Sequence, residues 1–114
     1  MTDCIFCKIV AGDIPATKVF EDDWVVGFRD LNPQAPTHVL LIPKRHVATL
    51  NDLDDSNADL VGAMMQAAAK VAQQEGFAEQ GYRTVMNCNA DGGQTVFHIH
   101  LHLLGGREMG WPPF

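Results

Sequence analysis

The chain has 114 residues and a formal net charge of −6, with five histidines and three cysteines. That length supports one hydrophobic core, so a single domain over residues 1–114 is expected. An acidic balance without a basic run argues against binding to nucleic acid or an anionic membrane, but it leaves room for a mononucleotide, which needs only a local nest of donors.

No apolar run approaches the ~20 residues of a spanning helix. The start, Met1-Thr2-Asp3-Cys4, lacks the charged and apolar regions of a signal peptide. A cytoplasmic location is therefore expected, with the cysteines as thiols or metal ligands and not disulfides. Cys4-Ile5-Phe6-Cys7 opens the chain. A Cys-x-x-Cys pair reads as a zinc half-site, a redox pair or a coincidence, and the βαβ context of a thioredoxin-type site is absent. Ile5, Phe6 and Ile9 are spaced like one face of a short helix.

After a turn at Gly12-Asp13-Ile14-Pro15, residues Lys18–Glu21 and Trp24–Arg29 read as two strands joined tightly at Asp22-Asp23. Asp30 follows, at the head of a proline-punctuated loop, where it could accept hydrogen bonds from a sugar diol. Thr37–Pro43 reads as a central strand buried on both faces, with His38 at its start and His46 in the loop beyond it. Ser56-Asn57-Ala58-Asp59 resembles a capping box. A helix should run from there to about Glu75 and stop at Gly76, with Leu60, Val61, Met64, Ala67, Ala68, Val71 and Ala72 as its apolar stripe. Tyr82–Asn87 reads as another strand. The loop 87–95 carries Gly92 and Gly93, whose N–H groups could join the side chains of Asn87, Gln94 and Thr95 in a phosphate nest. It is no Walker loop, because the Gly-Lys-Ser/Thr end is missing.

The most informative stretch is Thr95–Leu104. His98, His100 and His102 alternate with Ile99, Leu101 and Leu103, as in a strand with one buried face. Three imidazoles roughly 6.5–7 Å apart along a strand repel one another when protonated. At least one should be neutral near pH 7 and able to attack an electrophile, while a protonated neighbour binds an anion or protonates a leaving group. That combination suits attack on phosphorus. A His-x-His metal site, as in zinc hydrolases, and a merely polar sheet face are the competing readings. The tail, Gly105–Phe114, shows no helix or strand pattern. Its Trp111, followed by two prolines, would be wasteful if exposed in a monomer, so it is expected to cover another surface.

These residues resemble the histidine-triad family, and its Hint branch in particular. The resemblance rests on His98-Ile99-His100-Leu101-His102-Leu103-Leu104, with Ile5-Phe6, Asp30-Leu31-Asn32-Pro33-Gln34-Ala35-Pro36-Thr37-His38, Gly92-Gly93-Gln94-Thr95, and Gly105-Gly106-Arg107 with Trp111-Pro112-Pro113. It implies an α+β fold: a five-stranded antiparallel sheet, one long helix and a short N-terminal helix, in a homodimer with a continuous sheet. It also implies hydrolysis of purine nucleoside phosphoramidates of the AMP-lysine or AMP-NH2 type, without an organic cofactor. His100 would be the nucleophile that carries the nucleotidyl group. His102 would contact the phosphate and the departing group, and His38 and His98 would orient His100. Asp30 would hold the ribose, Ile5, Phe6, Ile9 and Phe28 the base, and Asn87, Gly93, Gln94 and Thr95 the phosphate. Trp111 would approach the other subunit's site. Thr95 stands where relatives often have Ser, and Gly110 replaces a larger residue, which bears on leaving-group preference.

Some members of the wider superfamily, galactose-1-phosphate uridylyltransferase among them, hold zinc through a Cys-x-x-Cys pair and two distant histidines. Cys4, Cys7, His46 and His98 occupy the matching places, so a closed, structural zinc site is implied. A dinucleoside polyphosphate hydrolase, and a nucleotide-binding regulatory protein with little catalysis, are the alternative functions.

Overall fold

The structure of the chain, a computed structural model, describes residues 3–114. Helix α1 (Ile5–Ala11) leads into strands β1 (Lys18–Glu21), β2 (Val25–Arg29) and β3 (Thr37–Pro43). Helix α2 (Asp59–Glu75) follows, then β4 (Arg83–Val85), a short α3 (Asn89–Gly92) and β5 (Leu101–Gly105). The strands form one sheet in the order β1-β2-β3-β5-β4, with every neighbouring pair antiparallel. This is the expected α+β sheet with one long and one short N-terminal helix.

Local chemistry explains the elements. The Asp22 carboxylate accepts from the amides of Trp24 and Val25 at 2.8 and 2.9 Å and closes the β1–β2 hairpin. Gly27 in β2 is a packing requirement: a Cβ there would lie 2.8 Å from a Leu41 methyl. β3 lies mid-sheet and is buried from His38 to Pro43. Its alternate residues divide the core in two. Val39 and Leu41 join Val25, Ile99, Leu101, Leu103 and the α2 stripe on one face. Leu40 and Ile42 join Val26, Phe28 and the α1 residues Phe6 and Ile9 on the other. Within α2, Leu60, Met64, Ala67, Ala68, Val71 and Ala72 are buried, Val61 is packed against them, and the helix stops at Gly76 with φ +89°. Arg29, at the end of β2, grips Glu75 with two bonds of 3.1 Å and ties the sheet to the last turn of α2.

Several boundaries differ from expectation. Ser56 does not cap α2. The N-cap is Ala58, without a side-chain bond, because the Asp54 carboxylate draws in the amide and hydroxyl of Ser56 at 2.8 and 2.6 Å. A capping box does form, at Thr49 and Asp52 on the 3₁₀ turn Leu50–Asp52. Only Arg83–Val85 of the stretch 82–87 pairs as a strand, and the loop after it holds α3.

The largest correction concerns the histidine segment. β5 begins only at Leu101, opposite Leu41. One residue further along β3 the partner would be Ile42, then Pro43, which has no N–H to donate, so the ladder stops. Residues 94–99 are cradled by the end of β3 and the loop after it instead. The Gln94 side-chain amide donates to the Ala48 carbonyl at 2.8 Å, the Ile99 amide to Val47 at 2.8 Å, and the His98 ring bonds the Pro43 carbonyl. The alternation survives without the ladder, since Ile99, Leu101 and Leu103 are all buried against the α2 side.

Candidate active site

The register places the histidines. His102 sits opposite Leu40, and His38 opposite Leu104, one diagonal step away. His38 and His102 thus share the α1 face of the sheet, where α1 covers the expected outer face of the histidine segment. His98 and His100 are buried, and His102 is half-buried.

Hydrogen bonds assign the ring nitrogens. His100 Nδ1 lies 2.8 Å from the carbonyl oxygen of His98. A carbonyl only accepts, so Nδ1 carries the proton, and in the neutral ring Nε2 keeps its lone pair. The Gln34 amide donates to His38 Nδ1 at 3.0 Å. The neutral His38 ring is then protonated at Nε2, which lies 2.9 Å from His102 Nδ1 and 3.4 Å from the Asp30 carboxylate. His102 Nδ1 accepts that proton's bond, so the neutral His102 ring presents an N–H at Nε2. The result is one imidazole with a free lone pair beside one with a donor, their ring centroids 5.0 Å apart.

Burial favours the neutral form of His38, His98 and His102. His102 is pushed down to about 4, first by loss of hydration, then by His100 and His38, with Asp30 opposing. His98 is also lowered to about 4, again chiefly by burial, against the favourable bond to Pro43. His38 is lowered by burial more than the Asp30 carboxylate raises it. Repulsion among the imidazoles is the smaller cause, whereas sequence reasoning put it first.

A second cluster adjoins the first. His98 donates from Nε2 to the Pro43 carbonyl at 2.8 Å, which leaves its Nδ1 lone pair facing Cys4 Sγ at 3.3 Å and Cys7 Sγ at 3.5 Å. His46 Nδ1 lies 3.3 Å from Cys7 Sγ and 3.2 Å from His98 Nδ1. The donor atoms of Cys4, Cys7, His46 and His98 all fall within 4.8 Å of one another and could hold a metal ion. The four residues come from α1, the loop after β3 and the histidine segment, and only the fold unites them.

The other expected site residues divide. Phe6 packs edge-on to Phe28 at 5.5 Å and to His100 at 5.1 Å. Phe6, Ile9 and Phe28 are each at most 6% exposed, whereas Ile5 is 46% exposed; the three form the backing of an apolar wall and Ile5 its open edge. Asp30 accepts from the Asn32 amide at 2.7 Å and faces His38 with its other oxygen, so a sugar hydroxyl would use the remaining lone pairs. Gln94 already has partners within the chain. Its side chain is buried and engaged with Asn89, Ala48 and Val96. Its own amide and that of Gly93 bond back to Asn89 and Ala90. Gln94 and Gly93 therefore shape the loop, and Asn87, half-buried, and Thr95, exposed, are left as candidates to face a phosphate. Trp111 stands outside the cluster, 83% exposed, with the Arg83 guanidinium 5.9 Å over its ring. Sequence reasoning missed the carbonyls of Pro43 and His98 that orient the rings; a main-chain acceptor leaves no mark in residue identity.

Fold and site define an antiparallel α+β protein with a histidine cluster on its central strands, beside a cysteine–histidine cluster. The HIT domain model matches residues 11–109. The chain is 52% identical over 108 residues to the purine nucleoside phosphoramidase of Escherichia coli strain K12, covering 95% of this chain and 91% of that protein. The crystal structure of a HIT family hydrolase from Legionella pneumophila superposes with a TM-score of 0.95 at 58% identity, covering 98% of this chain and all of that one. A zinc-bound histidine triad family protein of Mycobacterium smegmatis has a TM-score of 0.79 at 37% identity, over 92% of this chain and 76% of that one. The chain belongs to the HIT domain family. Among the described residues no helix is long and apolar enough to cross a membrane.

Proposed function

We propose that the chain is one HIT domain that hydrolyses purine nucleoside phosphoramidates, AMP-lysine and AMP-NH2 among them, through a nucleotidyl–His100 intermediate. The observation that carries this is the bond from His100 Nδ1 to the His98 carbonyl, which leaves Nε2 as the attacking lone pair. Nε2 bonds to phosphorus, the P–N bond of the substrate breaks, and the amine departs with a proton taken from solvent water. Water then releases the nucleoside monophosphate and restores His100. His102, with its N–H at Nε2, stabilises charge on the phosphoryl oxygens. Thr95 and Asn87 flank the phosphate, Asp30 the ribose, and Ile5 with the Phe6 wall the base. The identity to the E. coli purine nucleoside phosphoramidase supports this substrate class.

His100→Ala should keep AMP binding and abolish turnover of AMP-lysine. Rapid quenching of the wild-type reaction should trap a nucleotide on His100, and full activity in the variant would remove the assignment.

Zinc is the ion we assign to Cys4, Cys7, His46 and His98. A tetrahedral zinc with bonds of about 2.0–2.3 Å sets its ligand atoms roughly 3.3–3.8 Å apart, and four donor separations in the cluster run from 3.2 to 3.5 Å. Four protein ligands close the site, so this zinc is structural. Reduced thiols suit a cytoplasmic location. A homodimer is supported by the edge position of β4 and by Trp111 on the tail beside it, which would reach the other subunit's site. Light scattering tests the dimer, and elemental analysis the zinc.

A further inference from the structure

α1 physically joins the two clusters. Cys4 is its N-cap, Cys7 lies in its first turn, and between them Phe6 sets its ring against His100, 5.1 Å between centroids at 87°. Phe6 also meets His98 at 5.9 Å and Phe28 at 5.5 Å. His98 also meets His100: its ring faces the thiols, and its carbonyl holds the His100 Nδ1 proton. The nucleophile is thus held by the Phe6 ring and the His98 carbonyl, beside the His102 ring, and Phe6 and His98 both adjoin the cysteine–histidine cluster. α1 has seven residues, too few to hold its shape without tertiary tethers.

We propose that the ion bound by Cys4, Cys7, His46 and His98 is the tether that holds Phe6 and the His98 carbonyl on His100, which makes Phe6 a positioning residue for the nucleophile and for nucleotide binding. This rests on the zinc and His100 assignments above. Loss of the ion leaves α1 held mainly by Phe6 and Ile9 in the core, so the ring of Phe6 shifts on His100 and the apolar wall beside the nucleotide loosens.

The test uses the whole chain, zinc-loaded and after chelation, as wild type and as Phe6→Leu. Zinc content, AMP affinity by calorimetry and the ring-nitrogen resonances of His100 are measured. Chelation of wild type should weaken AMP binding about three- to tenfold, the scale of one lost aromatic pair, and shift the His100 resonances. Phe6→Leu should keep its zinc, lose affinity to a similar degree, and lose little more on chelation, because both changes remove the same contact. A loaded wild type without zinc overturns the metal assignment and this proposal with it, while leaving catalysis by His100 standing. Zinc present, with AMP affinity and resonances unmoved by chelation, overturns the proposal alone, as do fully additive losses. If circular dichroism shows that chelation unfolds the chain, zinc-loaded Phe6→Leu decides, and wild-type His100 resonances there overturn the proposal.

Discussion

Gly105 closes β5 opposite Thr37, and its substitution tests packing against Phe77. A methyl group placed on it would stand 2.4, 2.5 and 2.7 Å from three ring carbons of Phe77. That ring is 6% exposed and braced edge-on by Tyr82 at 6.0 Å, so it has little room to swing away. Gly105 does not have a positive φ, and the backbone itself tolerates alanine. Overpacking of this kind costs about 1–3 kcal/mol, which for a chain of this size lowers Tm by roughly 4–12 °C. Gly62 provides the counterpart. It is exposed in α2, and a methyl group there would meet nothing within 4 Å. Gly62→Ala should gain about 0.5–1 kcal/mol through helix propensity and the reduced freedom of the unfolded chain. The same methyl is thus expected to act with opposite signs. Differential scanning calorimetry of both variants measures this. A Gly105→Ala that melts at or above wild type, or two variants that move together, refutes the packing argument.

Stability of the metal-free chain should fall in acid. His98 and His102 are held near 4 against an ordinary 6.5, so the unfolded chain binds more protons between those values. Their contribution is complete above about pH 6.5 and is lost as pH falls toward 4. For fully buried His98 it amounts to about 3 kcal/mol at most. Urea midpoints at pH 7.5 and 5 measure it, and equal midpoints contradict the assignment. Glu75→Gln should cost roughly 0.5–1 kcal/mol by breaking the bidentate grip of Arg29, discounted because Arg29 is partly exposed. The loss should shrink in 1 M salt, and a salt-independent change would point to packing instead. Asp30→Ala should weaken AMP binding by roughly tenfold or more, the scale of a hydrogen bond to a charged group, while 2′-deoxy-AMP binding changes less. Equal losses for both nucleotides would remove Asp30 from the ribose.

Much of the architecture was legible in local pattern. The alternation around His98, His100 and His102 separated the apolar residues that face α2 from the histidines opposite them. The 3.6-residue stripe of α2 and the Asp22-Asp23 hairpin were equally plain, because each depends on neighbours in the chain. The boundaries were less so. Ser56 carries a capping signature, yet Asp54, two residues before it, competes for its amide and hydroxyl. Thr95–His100 has strand alternation, yet its would-be ladder runs into Pro43, a residue 52 positions earlier than Thr95 in the chain. The engagement of the Gln94 amide by the carbonyls of Ala48 and Val96 is likewise visible only once folding brings them near.

What the residues determined by themselves is the inventory: imidazoles in alternation, a paired-thiol motif, and elements whose periodicity obeys local sterics and burial. What only the tertiary structure decided is which nitrogen does what. His100 gains its free Nε2 from a carbonyl, His102 its donor through His38 and Gln34, and His98 its thiol-facing lone pair from Pro43. The physical reason is that a tautomer is chosen by the partner of the other ring nitrogen. Those partners are backbone groups and distant side chains, invisible in residue identity and set by the packing of the whole sheet.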